Sequence, residues 1–457
     1  MAAPVAATSR WSSRFAFVLV SIGAAVGLGN IWKFPYTAGT GGGGAFVLVY
    51  LLGIAAIAIP AFMAETLIGR EGRLSAPRSL AHTAQKAGAS SHWRWAGWLG
   101  VATITLILSF YCVFASWTIA FIPKAAAGQF AGLDGASARA LYEAFRSDPA
   151  TLILWHALFM GLVIGVVSRG VTAGLERANR ILMPALLVLL LILVAYALAA
   201  GDAAAGLRFL FHVDFDALTP AVALSALGQA AFTMNIGVGG VLTYGVYLER
   251  SVSIPRATLT VAAADTTVAL LAGLAVFPLV FAYGLDPAQG AGLVFATLPI
   301  AFGDLTGGAV FGALFFLFLA FAALTSAISM MEVSVRAAVE TRRVSRLKAS
   351  LGLGAVIWLL GFATLFSFNA WSDIRPLAFL SGFEDATIFN ALDHITLNIA
   401  LPVGGALFSL FAGWVLTRET TAAQLGLGTG ALYQTWRWAV RVVVPGIILA
   451  AFIMNFV

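Results

Sequence analysis

The chain has 457 residues, of which 61% are hydrophobic and only 10% charged, and its mean hydropathy is +0.95. That balance excludes a soluble globular domain and a disordered chain, and it specifies a polytopic membrane protein. The net charge of +6 is a matter of loop lysines and arginines, not of nucleic-acid binding, and a single cysteine, Cys112, excludes an internal disulfide framework and a cysteine-built metal site.

In chain order, a short amino-terminal segment, 1–14, precedes the first apolar run, 15–37. This run reads as a span and not as a removable signal, because its pattern continues past Lys33 and Pro35 and more spans follow. Runs of spanning length recur at 43–69, 97–123, 151–168, 181–200, 218–246, 257–284, 308–335, 350–367, 394–417 and 438–457, eleven in all. The amino terminus and the loops 70–94, 169–180, 250–256, 336–348 and 418–441 hold 20 of the 26 lysines and arginines. This asymmetry predicts that those segments are cytoplasmic, and an odd number of spans then puts Val457 outside.

Two spans are badly built for continuous helix. In the first, GAAVGLGNIWKFPY at 23–36 combines Gly23, Gly27 and Gly29 with Asn30, Lys33 and Pro35. In the sixth, the pattern of LGQAAFTMNIGVGGVLTYGVYL at 227–248 is lost between Asn235 and Gly240. Small residues at such spacing also serve close helix packing. A pair of breaks five spans apart points instead to two five-helix halves in inverted repeat, with a binding site where the broken spans meet. Unwound backbone in hydrocarbon needs a polar partner, which a cation and a polar substrate supply.

AAVGLGNIWKFPY, together with GGGAF, LGQAAFT and FAALTSAIS, resembles the neurotransmitter:sodium symporter family over nearly the whole chain. The resemblance is to its bacterial amino-acid-transporting branch with eleven spans. It implies an all-α, leucine-transporter-type fold with helices 1 and 6 unwound at mid-membrane, organised as 1–14, 15–200 (helices 1–5), 201–417 (helices 6–10) and 418–457. It further implies a sodium-coupled symporter working by alternating access in the cell membrane. A transporter-like sensor and a sodium-dependent channel are the alternatives. No span pairs a nucleophile with a histidine, and His156 stands alone, so an enzyme is not expected.

By matched motif, the resemblance places one sodium at the Ala25 carbonyl, Asn30, Thr233 and Asp265, completed by the substrate carboxylate. A second sodium falls between the carbonyls of Gly23, Val26 and Ala322 and the hydroxyls of Thr325 and Ser326, although these hydroxyls could equally bond back to their own helix. The substrate site takes in Ala25, Gly27, Gly29, Ile107, Tyr111, Phe232, Thr233, Asn235, Gly237, Val238, Ser326 and Met330. Glycine at 27, where monoamine carriers have an acid, implies a zwitterionic α-amino acid with its own carboxylate, and the mostly apolar pocket of Ile107, Asn235, Val238, Ser326 and Met330 a neutral, hydrophobic side chain. Tyr111 and Phe232 are the inner layer of an outer gate completed by a Lys33–Asp393 ion pair; Trp11, Glu340 and Arg10 are assigned to the cytoplasmic gate. Glu65 is expected to hydrogen-bond the broken sixth helix, and Glu332 to line an exit path or to snorkel. Tyr50, Gln229 and Thr233 match positions around a chloride ion, but Ala269 supplies neither a serine nor a glutamate there and Asp265 brings its own charge, so no chloride is expected.

Overall fold

A computed structural model describes residues 11–285, 292–380 and 382–454, and every element in them is helical. The helices, in order, are α1 (Arg14–Ala25), α2 (Gly29–Thr40), α3 (Gly44–Gly72), α4 (Ala76–Lys86), α5 (Ser91–Ala126), α6 (Pro149–Val167), α7 (Val171–Ala200), α8 (Pro220–Thr233), α9 (Gly240–Val246), α10 (Ile254–Ala282), α11 (Gly308–Arg342), α12 (Arg346–Phe366), α13 (Ile388–Val415) and α14 (431–454). Among the described residues eight continuous helices are long and apolar enough to cross a membrane, and α1 with α2 forms a ninth span bent by 51°. The expected runs 218–246 and 438–457 fall on α8 with α9 and on α14.

Proline placement explains much of the local geometry. Five π-helical turns, Gly29–Lys33, Ile54–Ala58, Leu293–Thr297, His394–Ala400 and Ala439–Val443, each end two residues before a proline: Pro35, Pro60, Pro299, Pro402 and Pro445. Proline has no N–H to donate and its ring crowds the carbonyl one turn back, so a wider turn lets helix continue through it. The sequence expectation of a span starting at 181 is corrected by α7, which begins ten residues earlier at Val171. Its charged first turns stay helical because Glu176 is neutralised by Arg180 at 2.5 Å and accepts the Ser12 N–H at 3.1 Å.

Helices α5 and α11 run against each other through the centre, and α6, α7 and α12 lie outside them, with Leu154, Leu158, Leu187, Leu191, Leu351 and Leu359 exposed. Such side chains are in their proper solvent when it is lipid. The broken helices lie inside, α1 against α10 and α11, and α9 against α3. Buried aromatics, including Trp117, Phe121, Phe295 and Phe316, fill one end of the α5 and α11 core.

Close approach of α3 to α9 depends on two glycines. A Cβ at Gly69 would fall on the Leu242 carbonyl, and one at Gly245 on the Thr66 carbonyl. Gly69→Ala therefore forces backbone apart, at a cost of about 1–3 kcal/mol or more. A fluorescence thermal-unfolding assay should show a fall of several degrees for Gly69→Ala, and no fall for Gly161→Ala, whose added methyl meets nothing within 4 Å.

Candidate functional site

The first break starts where Val26 turns extended, at φ −72° and ψ 103°, after its N–H has bonded the Ile22 carbonyl at 2.7 Å. Helix resumes at Gly29, so the carbonyls near the end of α1 lose their own-helix donors. The second break follows Thr233. Asn235, Gly237 and Gly239 all have positive φ, of 54°, 90° and 73°. At Gly237 glycine is required twice over, by that φ and because a Cβ would strike the Leu401 carbonyl. Its N–H donates to Glu65 Oε1 at 2.6 Å, so a carboxylate fully buried on α3 satisfies an amide that the break leaves exposed.

The two breaks meet at a buried polar cluster. Asn30 Nδ2 donates to Thr233 Oγ1 at 3.0 Å and to Asp265 Oδ1 at 2.7 Å, and the Thr233 hydroxyl donates to Asp265 Oδ2 at 2.9 Å. Asn30 Oδ1 accepts the Gly27 N–H at 3.1 Å, which pins the break to the same cluster. Next to it, Ser326 Oγ on α11 lies 3.4, 3.3 and 3.2 Å from the carbonyls of Gly23, Ala24 and Val26. One hydroxyl proton serves one of three oxygens at a time, so the group is rich in acceptors, as a hard-cation site is. Thr325 Oγ1 bonds back to Ala322 at 3.0 Å and to Phe321 at 3.2 Å, within its own helix.

A cavity of about 30 Å³ adjoins both clusters. Ala25, Gly27, Gly29, Ile107, Tyr111, Phe232, Thr233, Asn235, Val238, Ser326 and Met330 line it, whereas Gly237 does not and faces α13. Ala24, Leu28, Ile104 and Leu401 line it too and were missed in the sequence. Ile104 lies one turn before Ile107 and was within reach of helical periodicity, but Leu401 belongs to a span with no motif. Tyr111 OH accepts the Leu28 N–H at 3.4 Å, and Asn235 Nδ2 bonds the Ala24 carbonyl.

Tyr111 and Phe232 also line a larger cavity, of about 510 Å³, that contains Lys33 and Asp393. They are the partition between the two. Lys33 and Asp393 share this cavity, but the expected ion pair is absent among the described residues: Lys33 Nζ sits 4.4 Å from the Phe232 ring centroid. A lysine ammonium is a point charge on a flexible stem and satisfies itself over an aromatic face, where an arginine fork would demand a carboxylate.

The other end is closed by side chains. Trp11 is buried, donates from Nε1 to the Tyr244 carbonyl at 3.2 Å, and stacks edge-on against Tyr247 at 5.5 Å. Tyr247 OH donates to Glu332 at 2.6 Å, and Arg346 pairs with the same carboxylate. Glu332 is thus a fully buried ion-pair member and does not snorkel. Glu340 pairs with Arg336 at 3.0 Å and accepts the Ser75 N–H at 2.7 Å; Trp11 and Glu340 are linked through Tyr247 and Arg336, whose guanidinium lies 4.6 Å from the Tyr247 ring. Arg10 lies outside the described residues. The spacing of Glu332, Arg336 and Glu340, one helical turn each, was the unread signal for this network.

Comparison with known proteins accords with this architecture. Residues 8–131 and 148–457 match the model of the sodium:neurotransmitter symporter family. An uncharacterised sodium-dependent transporter of Bacillus subtilis, YhdH, is 37% identical over 447 residues, 97% of each chain. One of Haemophilus influenzae is 30% identical over 452 residues, again 97% of each. The crystal structure of MhsT in complex with L-phenylalanine superposes with a TM-score of 0.89 at 40% identity, covering 98% of this chain and 99% of that one. The chain belongs to the sodium:neurotransmitter symporter family and is a multi-pass, sodium-dependent membrane transporter, not an enzyme.

Proposed function

We propose that this protein is a chloride-independent symporter of sodium with neutral, hydrophobic L-amino acids, built as two inverted five-helix repeats followed by an eleventh span. The observation that carries this reading is the buried Asn30–Thr233–Asp265 cluster, at which both helix breaks converge beside a small cavity. The L-phenylalanine bound by MhsT supports the substrate class. Its carboxylate would lie by Gly27 and the Tyr111 hydroxyl, and its side chain against Ile107, Val238 and Met330.

In this reading the first sodium is held by the Ala25 carbonyl, Asn30, Thr233, Asp265 and the substrate carboxylate. Ligation by Asn30 uses Oδ1, the amide turned over relative to the arrangement described above. The second sodium is held by the carbonyls of Gly23, Val26 and Ala322 with the Thr325 and Ser326 hydroxyls, which requires Thr325 to swing away from Phe321. Asp265 puts a fixed negative charge on the first ion, and the methyl of Ala269 adds none, so no external anion is needed for charge balance. Alternating access would open the Tyr111–Phe232 partition on one side and the Trp11–Tyr247–Glu332 network on the other. The loops that carry most of the lysines and arginines, with the amino terminus, would face the cytoplasm.

Uptake of labelled L-phenylalanine into proteoliposomes should require an inward sodium gradient; equal uptake from potassium would overturn the proposal, and tight binding without uptake would favour a sensor. Sodium should raise substrate affinity by roughly 5–150-fold, with the reciprocal effect of substrate on sodium. Scintillation-proximity binding on Asn30→Ala should show both affinities falling together, while an unchanged sodium dependence would remove Asn30 from the ion site. Replacing chloride by gluconate should leave wild-type uptake unaltered, and Asp265→Asn should abolish uptake or make it respond to chloride. Chloride dependence of the unmodified protein would contradict the charge-balance argument.

A further inference from the structure

On the face that carries Trp11, away from the substrate cavity, α4, the start of α5 and the end of α11 enclose a second concavity of about 520 Å³. Arg78 and His82 line it from α4, Arg94 and Trp98 from α5, and Glu340 and Arg343 from the end of α11. The one carboxylate in it is already engaged by Arg336 and the Ser75 N–H, and Arg78 reaches only the Glu340 carbonyl, at 3.3 Å. Among the described residues no carboxylate lies within 4.0 Å of Arg78, Arg94 or Arg343.

Several other basic side chains on this face are consumed by structure. Arg346 pairs with Glu332, Arg180 with Glu176 and Lys86 with Glu71, and Arg70 bonds Gln424 and the Val252 carbonyl. Three guanidiniums gathered around one concavity whose single carboxylate is paired with Arg336 repel one another, and an anion that sits among them removes that repulsion. Guanidinium forks match the oxygens of a phosphate group, several of which can be engaged at once. The concavity also lies at the start of a membrane-crossing helix. There the Trp95 ring is 63% exposed, 5.8 Å from the Arg94 guanidinium, as an indole at the depth of lipid headgroups would be.

We propose that Arg78, Arg94 and Arg343 form a binding site for a phosphate group, carried by an anionic phospholipid headgroup or by free phosphate. The site joins α4 to the ends of α5 and α11, so its occupancy ties the segment after α3 to the helices beside the Trp11 network. The proposal stands independently of substrate and ion stoichiometry.

The test uses the full-length protein in detergent, with native mass spectrometry counting adducts of phosphatidylglycerol and of phosphatidylcholine. Arg94→Gln with Arg343→Gln should lower phosphatidylglycerol affinity roughly thirtyfold, at about 1 kcal/mol for each of the two basic residues, and leave phosphatidylcholine adducts unchanged. Arg94→Lys with Arg343→Lys, which keeps the charge and guards against misfolding, should retain part of the binding. A control with the same charge loss, Arg177→Gln with Arg256→Gln at the exposed starts of two other spans, should bind as wild type. Equal losses in the cavity and control variants would reduce the effect to diffuse surface attraction and overturn the site, as would no loss in the cavity variant. If millimolar inorganic phosphate displaces the lipid from wild type and raises its unfolding temperature but not that of the cavity variant, free phosphate is a sufficient ligand. If it does neither while the lipid arm holds, the ligand is the headgroup.

Discussion

Two stretches of unwound backbone inside a membrane protein are the constraint on which the rest of the structure depends. In hydrocarbon an unpaired amide or carbonyl has no water to turn to, so each break must be answered by groups from elsewhere in the fold. The Gly27 N–H is answered by Asn30, the Leu28 N–H by Tyr111, and the Gly237 N–H by Glu65; Ser326 and Asn235 reach the carbonyls of the first break. Those partners come from α2, α3, α5, α11 and the second break, which is why the broken helices lie at the centre. Small residues are the other half of the arrangement. Only without a Cβ at Gly69, Gly237 and Gly245 can the backbones approach closely enough for these bonds to form.

The same concentration of polar groups provides chemical specificity. Oxygens aimed into a site from a carboxylate, two hydroxyls and the freed carbonyls suit a small hard cation, and they are held by helices whose other faces pack against apolar surface. Around them the walls of the substrate cavity are mainly aliphatic and aromatic, with Tyr111 and Asn235 as the polar exceptions. A membrane transporter needs this combination, because the cargo must leave water without leaving its hydrogen bonds unmatched.

The two ends of the molecule are built differently. Toward Lys33 a cavity of about 510 Å³ stops at the Tyr111 and Phe232 partition, and Lys33 and Asp393 share it without a contact within 4.0 Å. Toward Trp11 the path is filled by Trp11, Tyr247, Glu332 and Arg346, an interlocked set of ring packing, hydrogen bond and ion pair. A buried carboxylate such as Glu332 is stable only while Arg346 and Tyr247 stay with it, so opening that end means separating charge or admitting water.

By itself the sequence determined the membrane environment, the spans, both breaks and most of the residues around the central cavity. The first three are properties of local physics, namely apolar run length, glycine and proline in a helical pattern, and the placement of basic loops; the cavity residues came from the motif resemblance. It also carried the cause of five of the π-helical turns, each followed by a proline two residues on, although that signal went unread. Only the tertiary structure decided which groups pair. Asn30 meets Thr233 and Asp265 across 203 and 235 residues of chain, a juxtaposition that a family motif can suggest but no local periodicity encodes. The sequence offered Lys33 with Asp393, Trp11 and Glu340 as members of one gate, and a role for Gly237 in the cavity wall. The structure places Lys33 over Phe232, links Trp11 and Glu340 through Tyr247 and Arg336, and turns Gly237 toward α13. The physical reason is that a charged or polar side chain is satisfied by whichever partner packing brings within reach, that a glycine faces whichever backbone approaches it, and that packing is settled among helices far apart in the chain.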